Sequence, residues 1–208
     1  MAIGLMGGTF NPIHIAHLII AEWIKDEWNL DSIVFIPAGT PPHKSRNEIL
    51  KASVRYKLVE IATSSNKAFE INDFEISKDE VSYTVDTISY FRDKYPDEKL
   101  FFIIGADTLF QLGKWKNFKE LAKMVEFITY SRWGYNKSQI ENRIYRLNRE
   151  YGFNIHYSNG PEIQISASNI RDRLKEGLSI KYMVPDLVIE EIQEKGLYKG
   201  VADGDITK

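Results

Sequence analysis

The sequence predicts an α/β fold: a Rossmann-like, doubly wound and mainly parallel sheet with helices on both faces and a small C-terminal helical extension. Two observations lead to this prediction. Short apolar runs of strand length alternate with longer amphipathic segments, which is the pattern of repeated β-α-β units. Most of the short runs are continuously apolar or β-branched, as expected for parallel strands that helices cover on both faces.

The predicted strands and helices alternate along most of the chain, joined by right-handed crossovers. The strands are expected at residues 2–6, 32–36, 69–72, 100–104, 125–129 and 154–157. The helices between them are expected at residues 15–28, 52–64, 85–94, 118–123 and 138–150.

Two more helices are predicted after the last strand. They occupy residues 169–176 and 187–195. The second begins after Pro185 and ends at Gly196, and proline at the start with glycine just past the end is a common arrangement of helix boundaries. These helices form the expected C-terminal extension.

The chain of 208 residues is long enough for one large domain and too short for two. No repeat or linker divides it, so we expect a single nucleotide-binding domain over residues 1–208. Its α/β core should cover about residues 1–165 and its helical part about residues 166–200, with a polar, frayed tail at 201–208.

Composition excludes several classes of protein. The chain has no cysteine, so thiolate zinc sites, iron–sulfur clusters, cysteine nucleophiles and disulfide frameworks are excluded. A net charge of −2 disfavours a nucleic-acid polymer as partner. Every apolar run is far shorter than the roughly 18 residues of a membrane span, and the N-terminus lacks the basic start of a signal peptide. We therefore expect a soluble, cytoplasmic protein.

The turn after the first predicted strand is the most informative stretch. Ligands of open parallel sheets bind beyond the carboxyl ends of the strands. Gly7 and Gly8 permit positive φ and close approach of a ligand, and the next helix offers an anion its unpaired N–H groups and positive dipole end. His14 and His17 are neighbours on one face at that helix end. This combination predicts a phosphate-binding site.

Other motifs fit this part of the chain less well. The turn has neither the Gly-x-Gly-x-x-Gly pattern of dinucleotide sites nor the Gly-Lys-Ser/Thr ending of a P-loop. Residues 39–45 come near a P-loop, but His43 replaces a glycine, and Pro41 and Pro42 remove N–H donors. A zinc site is a weak alternative, because His-x-x-His lacks a glutamate frame and an evident third ligand. Taken singly, either histidine could be an ordinary structural residue.

Five motifs succeed one another along nearly the whole chain. They are Gly-Gly-Thr-Phe-Asn-Pro-Ile-His-x-x-His at 7–17, Pro-Pro-His-Lys at 41–44, Ser-Tyr-Thr-Val-Asp-Thr at 82–87, Phe-Phe-Ile-Ile-Gly-Ala-Asp at 101–107 and Ile-Ser-Ala-Ser-Asn-Ile-Arg at 165–171. In this order they resemble the nucleotidyltransferases with a His-x-Gly-His signature and, among them, the bacterial nicotinate-nucleotide adenylyltransferases. Two positions depart from the pattern: Ala16 stands where the signature has Gly, and Asn11 stands where Asp is more usual. The extra methyl of Ala16 should narrow the nucleotide cleft slightly.

The resemblance implies transfer of the adenylyl group of ATP to nicotinate mononucleotide, giving nicotinate adenine dinucleotide and pyrophosphate in NAD biosynthesis. It implies Mg²⁺ bound with ATP and no metal held by the protein itself. It implies catalytic roles for His14, His17 and Arg171. The residues implied for ATP binding are Gly7, Gly8, Thr9, Phe10, His14, His17, Gly105, Asp107, Ser166, Ser168, Ile170 and Arg171. Those implied for the mononucleotide are Gly8, Thr9, Lys44, Tyr83, Thr84, Asp107 and Trp115.

Local sequence gives separate reasons for two of the cations. Ser168 looks like a helix N-cap, which places Arg171 in the first turn, where a cation opposes the macrodipole and an anion would explain its presence. Lys44 lies in a loop stiffened by two prolines, which suits a point-charge contact to phosphate. Either residue could otherwise be a solvated surface side chain.

Three features concern the second nucleotide. Asp107 follows the fourth strand and could cap the next helix or accept hydrogen bonds from ribose hydroxyls. Trp115 lies in a loop-like stretch, where it could stack on a flat ring or simply pack. Tyr83 and Thr84 open a predicted helix, whose free N–H groups suit a carboxylate better than a neutral amide. The resemblance implies that the pyridine ring lies against Trp115 with its carboxylate near Tyr83 and Thr84, which favours nicotinate over nicotinamide mononucleotide.

The expected partners are thus ATP and nicotinate mononucleotide, with neither a nucleic-acid polymer nor a membrane. A homo-oligomer of the chain is compatible with the sequence. Two alternatives stay open. One is a related adenylyltransferase acting on nicotinamide mononucleotide or phosphopantetheine, and the other is a nucleotide sensor without turnover.

Overall fold

One six-stranded sheet organises the computed structural model, which describes residues 1–39, 49–78, 81–132 and 134–198. The strands are β1 (Ala2–Gly8), β2 (Ser32–Pro37), β3 (Phe69–Ile71), β4 (Lys99–Gly105), β5 (Glu126–Tyr130) and β6 (Ile155–Ser158). Their order in the sheet is β3-β2-β1-β4-β5-β6, and every neighbouring pair is parallel. The order reverses between β1 and β4, and this switch point is where ligands bind in such sheets.

Helices cover both faces of the sheet. They are α1 (Ile15–Glu27), α2 (Ala52–Thr63), α3 (Thr84–Lys94), α4 (Ala106–Gln111), α5 (Phe118–Met124), α6 (Lys137–Tyr151), α7 (Ala167–Lys175) and α8 (Asp186–Glu194). No helix among the described residues has the length and apolar character needed to cross a membrane.

Two hydrophobic clusters fill the core, one on each face of the sheet. Successive residues of β2 alternate between them, since Ile33 and Phe35 belong to one cluster whereas Val34 and Ile36 belong to the other. Apolar residues of α1, α2, α7 and α8 complete the first cluster, and those of α3, α4, α5 and α6 complete the second. Burial on both faces explains why the strands are continuously apolar. The predicted doubly wound α/β fold is confirmed.

The predicted strands and long helices are present, with ends that differ by a few residues. The sequence analysis missed α4 and the short 3₁₀ turn Leu112–Lys114 that follows it. This segment has weak local helix signals, but Leu109 and Leu112 are fully buried, so packing against the sheet stabilises it. Trp115 therefore follows a helical turn rather than lying in an open loop. The predicted frayed tail, 201–208, lies outside the described residues.

Candidate active site

A cleft of about 710 Å³ opens at the carboxyl end of the sheet, where β1 and β4 end. Its walls are these strand ends and the first turns of α1, α3, α4 and α7. The predicted site residues that line it are Gly7, Gly8, Thr9, Phe10, His14, His17, Tyr83, Thr84, Gly105, Asp107, Trp115, Ser166, Ser168 and Arg171. Residues from four of the five motifs thus meet in one cleft, as the strand-end rule predicts, and the fifth, at 41–44, lies outside the described residues.

Two predicted residues are not among those that line the cleft. Ile170 is fully buried in the core cluster beneath α7, so its side chain is a packing residue rather than part of an ATP site. Its N–H donates to the Ser166 carbonyl at 3.1 Å and is therefore occupied. Lys44 lies outside the described residues.

The two glycines at the end of β1 serve close approach rather than positive φ. Both belong to the strand, and the positive φ in the following turn, 46°, is that of Phe10. A Cβ on Gly8 would lie 2.8 Å from the Phe10 ring. The expectation that these glycines adopt positive φ is thus wrong. Gly8 is instead required because a side chain at this position would collide with the Phe10 ring.

His14 and His17 form one stacked unit at the start of α1. Their ring centroids are 3.7 Å apart with an interplanar angle of 25°. His14 is the N-cap, and its N–H donates to Nδ1 of His17 at 3.2 Å. Because Nδ1 of His17 accepts, a neutral His17 carries its proton on Nε2. The N-terminus of α1 has fewer free N–H groups for an anion than expected, because the Ile15 N–H already donates to the Met183 carbonyl at 2.9 Å.

Burial keeps both imidazoles neutral at physiological pH. Desolvation, with a smaller contribution from the charge of Arg132, lowers the pKa of His14 to about 4. Desolvation first, and then the neighbouring His14 and Arg132, hold the pKa of His17 well below its usual range. The Nδ1 atom of His14 is buried without a hydrogen-bond partner among the described residues. The pair therefore supplies hydrogen bonds rather than positive charge to an anion.

Arg171 reaches the cleft from the second turn of α7. The N-cap of that helix is Ser166, whose Oγ accepts the Asn169 N–H at 3.2 Å. The prediction that Ser168 caps the helix and places Arg171 in its first turn is therefore wrong by two residues. The Ser168 side chain instead accepts from Nη2 of Arg171 at 3.3 Å, while Nη1 donates to the Asn11 carbonyl at 2.9 Å. These contacts direct the guanidinium towards the turn after β1.

Arg132 is a cleft residue that the sequence analysis missed. It follows β5 by two residues and contacts Asp107, with 3.3 Å between Nη1 and Oδ2. Asp107 accordingly pairs with an arginine and does not cap α4, whose N-cap is Gly105. Both side chains are more than a third exposed, so the pair is weak and either partner is free to contact a ligand. Applying the strand-end rule to β5 would have identified Arg132.

Aromatic and cationic side chains line the opposite wall of the cleft. Tyr83 is the N-cap of α3, and Thr84 is its first residue, as predicted. The ring of Trp115 packs edge-on against Phe102, with centroids 6.2 Å apart. Nζ of Lys116 lies 4.1 Å from the centroid of the Tyr83 ring. A flat ring and a positive charge are thus available beside the N-terminus of α3.

A second, smaller cavity of about 20 Å³ lies beside the histidines. It shares His14, His17 and Arg132 with the cleft, and Ala16 is one of its walls. Ala16 is not among the residues that line the cleft, so its methyl group narrows this small cavity beside the histidines rather than the cleft itself, as had been expected from the sequence.

The described residues contain no cluster of three or more His, Asp or Glu side chains that could hold a metal ion. Mg²⁺ usually binds to proteins through one or two carboxylates and the phosphates of a nucleotide.

Comparison with known proteins identifies relatives over almost the whole chain. A family model described as cytidylyltransferase-like matches residues 5–173. The chain is 38% identical over 200 residues to the probable nicotinate-nucleotide adenylyltransferase of Thermoanaerobacter sp. (strain X514), covering 96% of this chain and 95% of that protein. It is 39% identical over 203 residues to the protein of the same name from Moorella thermoacetica, covering 97% and 94% respectively.

Solved structures resemble the fold. A Plasmodium falciparum nicotinic acid mononucleotide adenylyltransferase complexed with NaAD superposes with a TM-score of 0.77, covering 95% of this chain and 97% of that one at 20% identity. A putative nicotinate-nucleotide adenylyltransferase from Vibrio parahaemolyticus superposes with a TM-score of 0.67 over 97% of each chain, at 19% identity.

Proposed function

The chain belongs to the cytidylyltransferase-like family and, within it, to the nicotinate-nucleotide adenylyltransferases, and we propose on this premise how its cleft performs the reaction. The enzyme transfers the adenylyl group of ATP to nicotinate mononucleotide in NAD biosynthesis. One structural observation supports this assignment most strongly. His14, His17 and Arg171, from opposite ends of the chain, meet at the switch point of the sheet.

The reaction requires no covalent bond between the protein and either substrate. A phosphate oxygen of nicotinate mononucleotide attacks the α-phosphorus of ATP. The bond between that phosphorus and the oxygen that bridges the α- and β-phosphates breaks, and pyrophosphate leaves. The attacking oxygen is an anion near neutral pH, so no protein nucleophile or strong base is required. Catalysis then consists of aligning two anions and stabilising charge on the phosphoryl oxygens.

His17 is suited to hydrogen bonding with a phosphoryl oxygen. Its Nδ1 is occupied by the His14 N–H, so its Nε2–H is the available donor. A preorganised donor in a buried site stabilises developing charge without reorganisation. We assign this role to His17 and a supporting one to His14, which stacks against it.

Arg171 supplies positive charge from the other side of the triphosphate. The Asn11 carbonyl and the Ser168 hydroxyl hold its guanidinium, and the described residues offer it no carboxylate partner within ion-pair distance. An arginine held in this way is ready to bind a phosphate. Ser166, Ser168 and the strand-end glycines complete the proposed ATP site, with Arg132 added to it. Lys44 stays a predicted contact of the mononucleotide.

The wall formed by Tyr83, Thr84 and Trp115 is assigned to the pyridine ring of the mononucleotide. The first N–H groups of α3 and the ammonium of Lys116 favour a negatively charged substituent on that ring. A nicotinate carboxylate satisfies both, whereas the amide of nicotinamide has no charge. This is the physical basis for choosing the acid over the amide.

Mg²⁺ is proposed to enter with ATP. Asp107, in the first turn of α4, is an acidic side chain of the cleft and is positioned to contact the ion or its water shell. When bound, the ion would neutralise charge on the departing pyrophosphate. A single domain over residues 1–208, a cytoplasmic location and a homo-oligomeric state stay predictions of the sequence.

A pyrophosphate-release assay tests the proposed function. Purified enzyme would receive Mg-ATP with nicotinate mononucleotide, nicotinamide mononucleotide or phosphopantetheine in turn. The highest kcat/KM is expected with nicotinate mononucleotide, and the product should be nicotinate adenine dinucleotide. Release with another acceptor alone would replace the substrate assignment, and no release with any acceptor would support a nucleotide sensor.

A further inference from the structure

Arg55 of α2 is a buried cation that makes no contact with the cleft lining except through the main chain. Its side chain is 1% exposed, and within the described part of the chain its guanidinium donates to carbonyl oxygens only. Nε contacts Leu50 at 3.0 Å and Nη1 contacts Thr9 at 2.7 Å. Nη2 contacts Ala38 at 2.6 Å and Gly39 at 2.9 Å. Such a group is costly to bury unless its hydrogen bonds are satisfied, so its presence calls for an explanation.

The four carbonyls belong to three separate segments of the cleft's framework. Thr9 is in the turn after β1, Ala38 and Gly39 follow β2, and Leu50 precedes α2. Gly39 and Leu50 also flank the stretch of sequence that carries Lys44. A single planar guanidinium with N–H groups in fixed directions can fix the relative positions of these segments. A lysine ammonium has three N–H donors, but all are on one nitrogen, so it cannot reproduce four bonds made from three nitrogens of a planar group.

Glu75 holds Gly39 from the other side. Its carboxylate accepts the Gly39 N–H and, at 2.7 Å, the hydroxyl of Thr87 on α3. Burial raises the pKa of the Glu75 carboxyl, although those two hydrogen bonds and the charges of Lys78 and Arg55 act in the opposite direction. A Cβ on Gly39 would lie 2.3 Å from the Glu75 carbonyl oxygen, so no larger residue fits between them.

Together these contacts join the end of β2 to the first turns of α3. Glu75 lines the cleft beside Ser82, Tyr83 and Thr84, and the Ser82 hydroxyl donates to the Glu75 carbonyl at 3.4 Å. This series of contacts, which passes through Arg55, Gly39 and Glu75, therefore connects two walls of the mononucleotide half of the cleft. Among the described residues neither side chain contacts α7, which carries Arg171, and Arg55 reaches the ATP half only indirectly, through the main chain of Thr9 and of Leu50, whose N–H donates to Asn11.

We infer that Arg55 and Glu75 are positioning residues that set the geometry of the mononucleotide half of the cleft by holding the Gly39 peptide between them. The inference rests on the proposed function. Neither residue takes part in the chemical step. Both act by keeping the end of β2 and the start of α3 at the separation that the mononucleotide requires.

The test compares Arg55→Lys and Glu75→Gln with the wild type, because both substitutions keep side-chain size and Lys keeps the charge. Steady-state kinetics with each substrate varied would be combined with calorimetric titration of nicotinate mononucleotide and of ATP. The KM and Kd of nicotinate mononucleotide are expected to rise about tenfold in Arg55→Lys and about fivefold in Glu75→Gln. The KM of ATP should change less than twofold, and kcat less than threefold.

Matched controls are Arg92→Lys, which loses a contact to the Glu98 carbonyl, and Glu126→Gln on β5, away from the carboxyl end of the sheet. Neither should move either KM. Equal rises for both substrates, or unchanged KM values in folded variants, would overturn the positioning role. If Arg55→Lys does not fold, Glu75→Gln alone decides. Wild type without turnover of nicotinate mononucleotide would instead contradict the proposed function itself.

Discussion

The guanidinium of Arg171 donates a hydrogen bond to the carbonyl of Asn11 at 2.9 Å, across 160 positions of sequence. Asn11 is in turn buried, and its side-chain oxygen accepts from the Leu50 N–H at 3.2 Å and from the Tyr198 hydroxyl at 3.0 Å. The arginine to which we assign a catalytic role is thus fixed against the turn that precedes the histidines. Because its partner is a neutral carbonyl, the positive charge stays available for phosphate.

Arg171→Lys should lower kcat/KM for ATP about 100-fold. Lysine keeps the charge but loses the planar fork that contacts Asn11 and a phosphate together. The free energy of unfolding should change by no more than about 0.5 kcal/mol, since the side chain is partly exposed. Arg173→Lys on the same helix is the control, because Arg173 bonds the Ser179 carbonyl outside the cleft. Similar losses in both variants would show that α7, rather than its arginine, is what matters.

His17→Ala should lower kcat about 100- to 1,000-fold with little change in folding, as expected when one preorganised donor is removed. The placement of the His17 proton on Nε2 leads to a second expectation. His17→Gln places an amide donor near the former Nε2 position and should retain more activity than His17→Asn, whose shorter amide lies near Nδ1. Single-turnover kinetics with saturating ATP would measure the chemical step. A folded Ala variant with unchanged kcat would remove His17 from the mechanism.

The buried His14 should make the protein less stable as pH falls from about 6.5 to about 4. In this window the unfolded chain takes up a proton on His14 that the folded protein, with a pKa of about 4, does not. The free energy of unfolding should therefore decrease with falling pH by about 3 kcal/mol from this group, and no further below pH 4.

His14→Gln removes that titration. Urea unfolding of wild type and variant at pH 7 and pH 4.5 would measure the difference, and because His14 also lowers the pKa of His17, the variant should lose still less stability through that residue. Wild type should lose more stability than the variant over this interval. Parallel losses would mean that His14 is protonated in the folded protein as readily as in the unfolded chain.

Ala16→Gly should lower the KM of ATP a few-fold, because it removes a methyl group from the wall of the small cavity beside the histidines. It should also reduce the free energy of unfolding by about 1 kcal/mol, the usual penalty of glycine inside a helix. Ala21→Gly in the same helix is the control for stability, since Ala21 is in the core and away from both cavities. A KM for ATP that rises in Ala16→Gly would contradict the narrowing effect.

Lys116→Gln should reduce the preference for nicotinate over nicotinamide mononucleotide about fivefold, the ratio expected from one exposed charge pair worth about 1 kcal/mol. The measurement is kcat/KM for both mononucleotides at saturating ATP. Lys119→Gln is the matched control: Lys119 also lies over a tyrosine ring, that of Tyr151 at 5.9 Å, but does not line the cleft. An unchanged ratio in Lys116→Gln would leave recognition of the carboxylate to α3 alone.

Residues at the ends of β1 and β4 were correctly placed in the cleft, whereas Arg132 after β5 was missed and residues whose role depends on exact helix boundaries were misplaced. Asp107 and the glycines were found because they follow β4 and end β1. The N-cap of α7 was placed at Ser168 rather than Ser166, since both serines fit the local pattern and only the hydrogen bond to Asn169 distinguishes them. Ile170 lies within the same motif as Arg171, but points to the opposite side of the helix, into the core.

The sequence by itself determined the fold class, the order of the strands and long helices, and most of the motifs that meet in the cleft, because periodicity and glycine placement are properties of neighbouring residues. Only the tertiary structure decided which side chains hold that cleft in shape. Arg55, Glu75 and Asn11 bond to segments far away in sequence, and no local pattern records such contacts. The state of the histidines was likewise decided by burial, which depends on everything packed around α1.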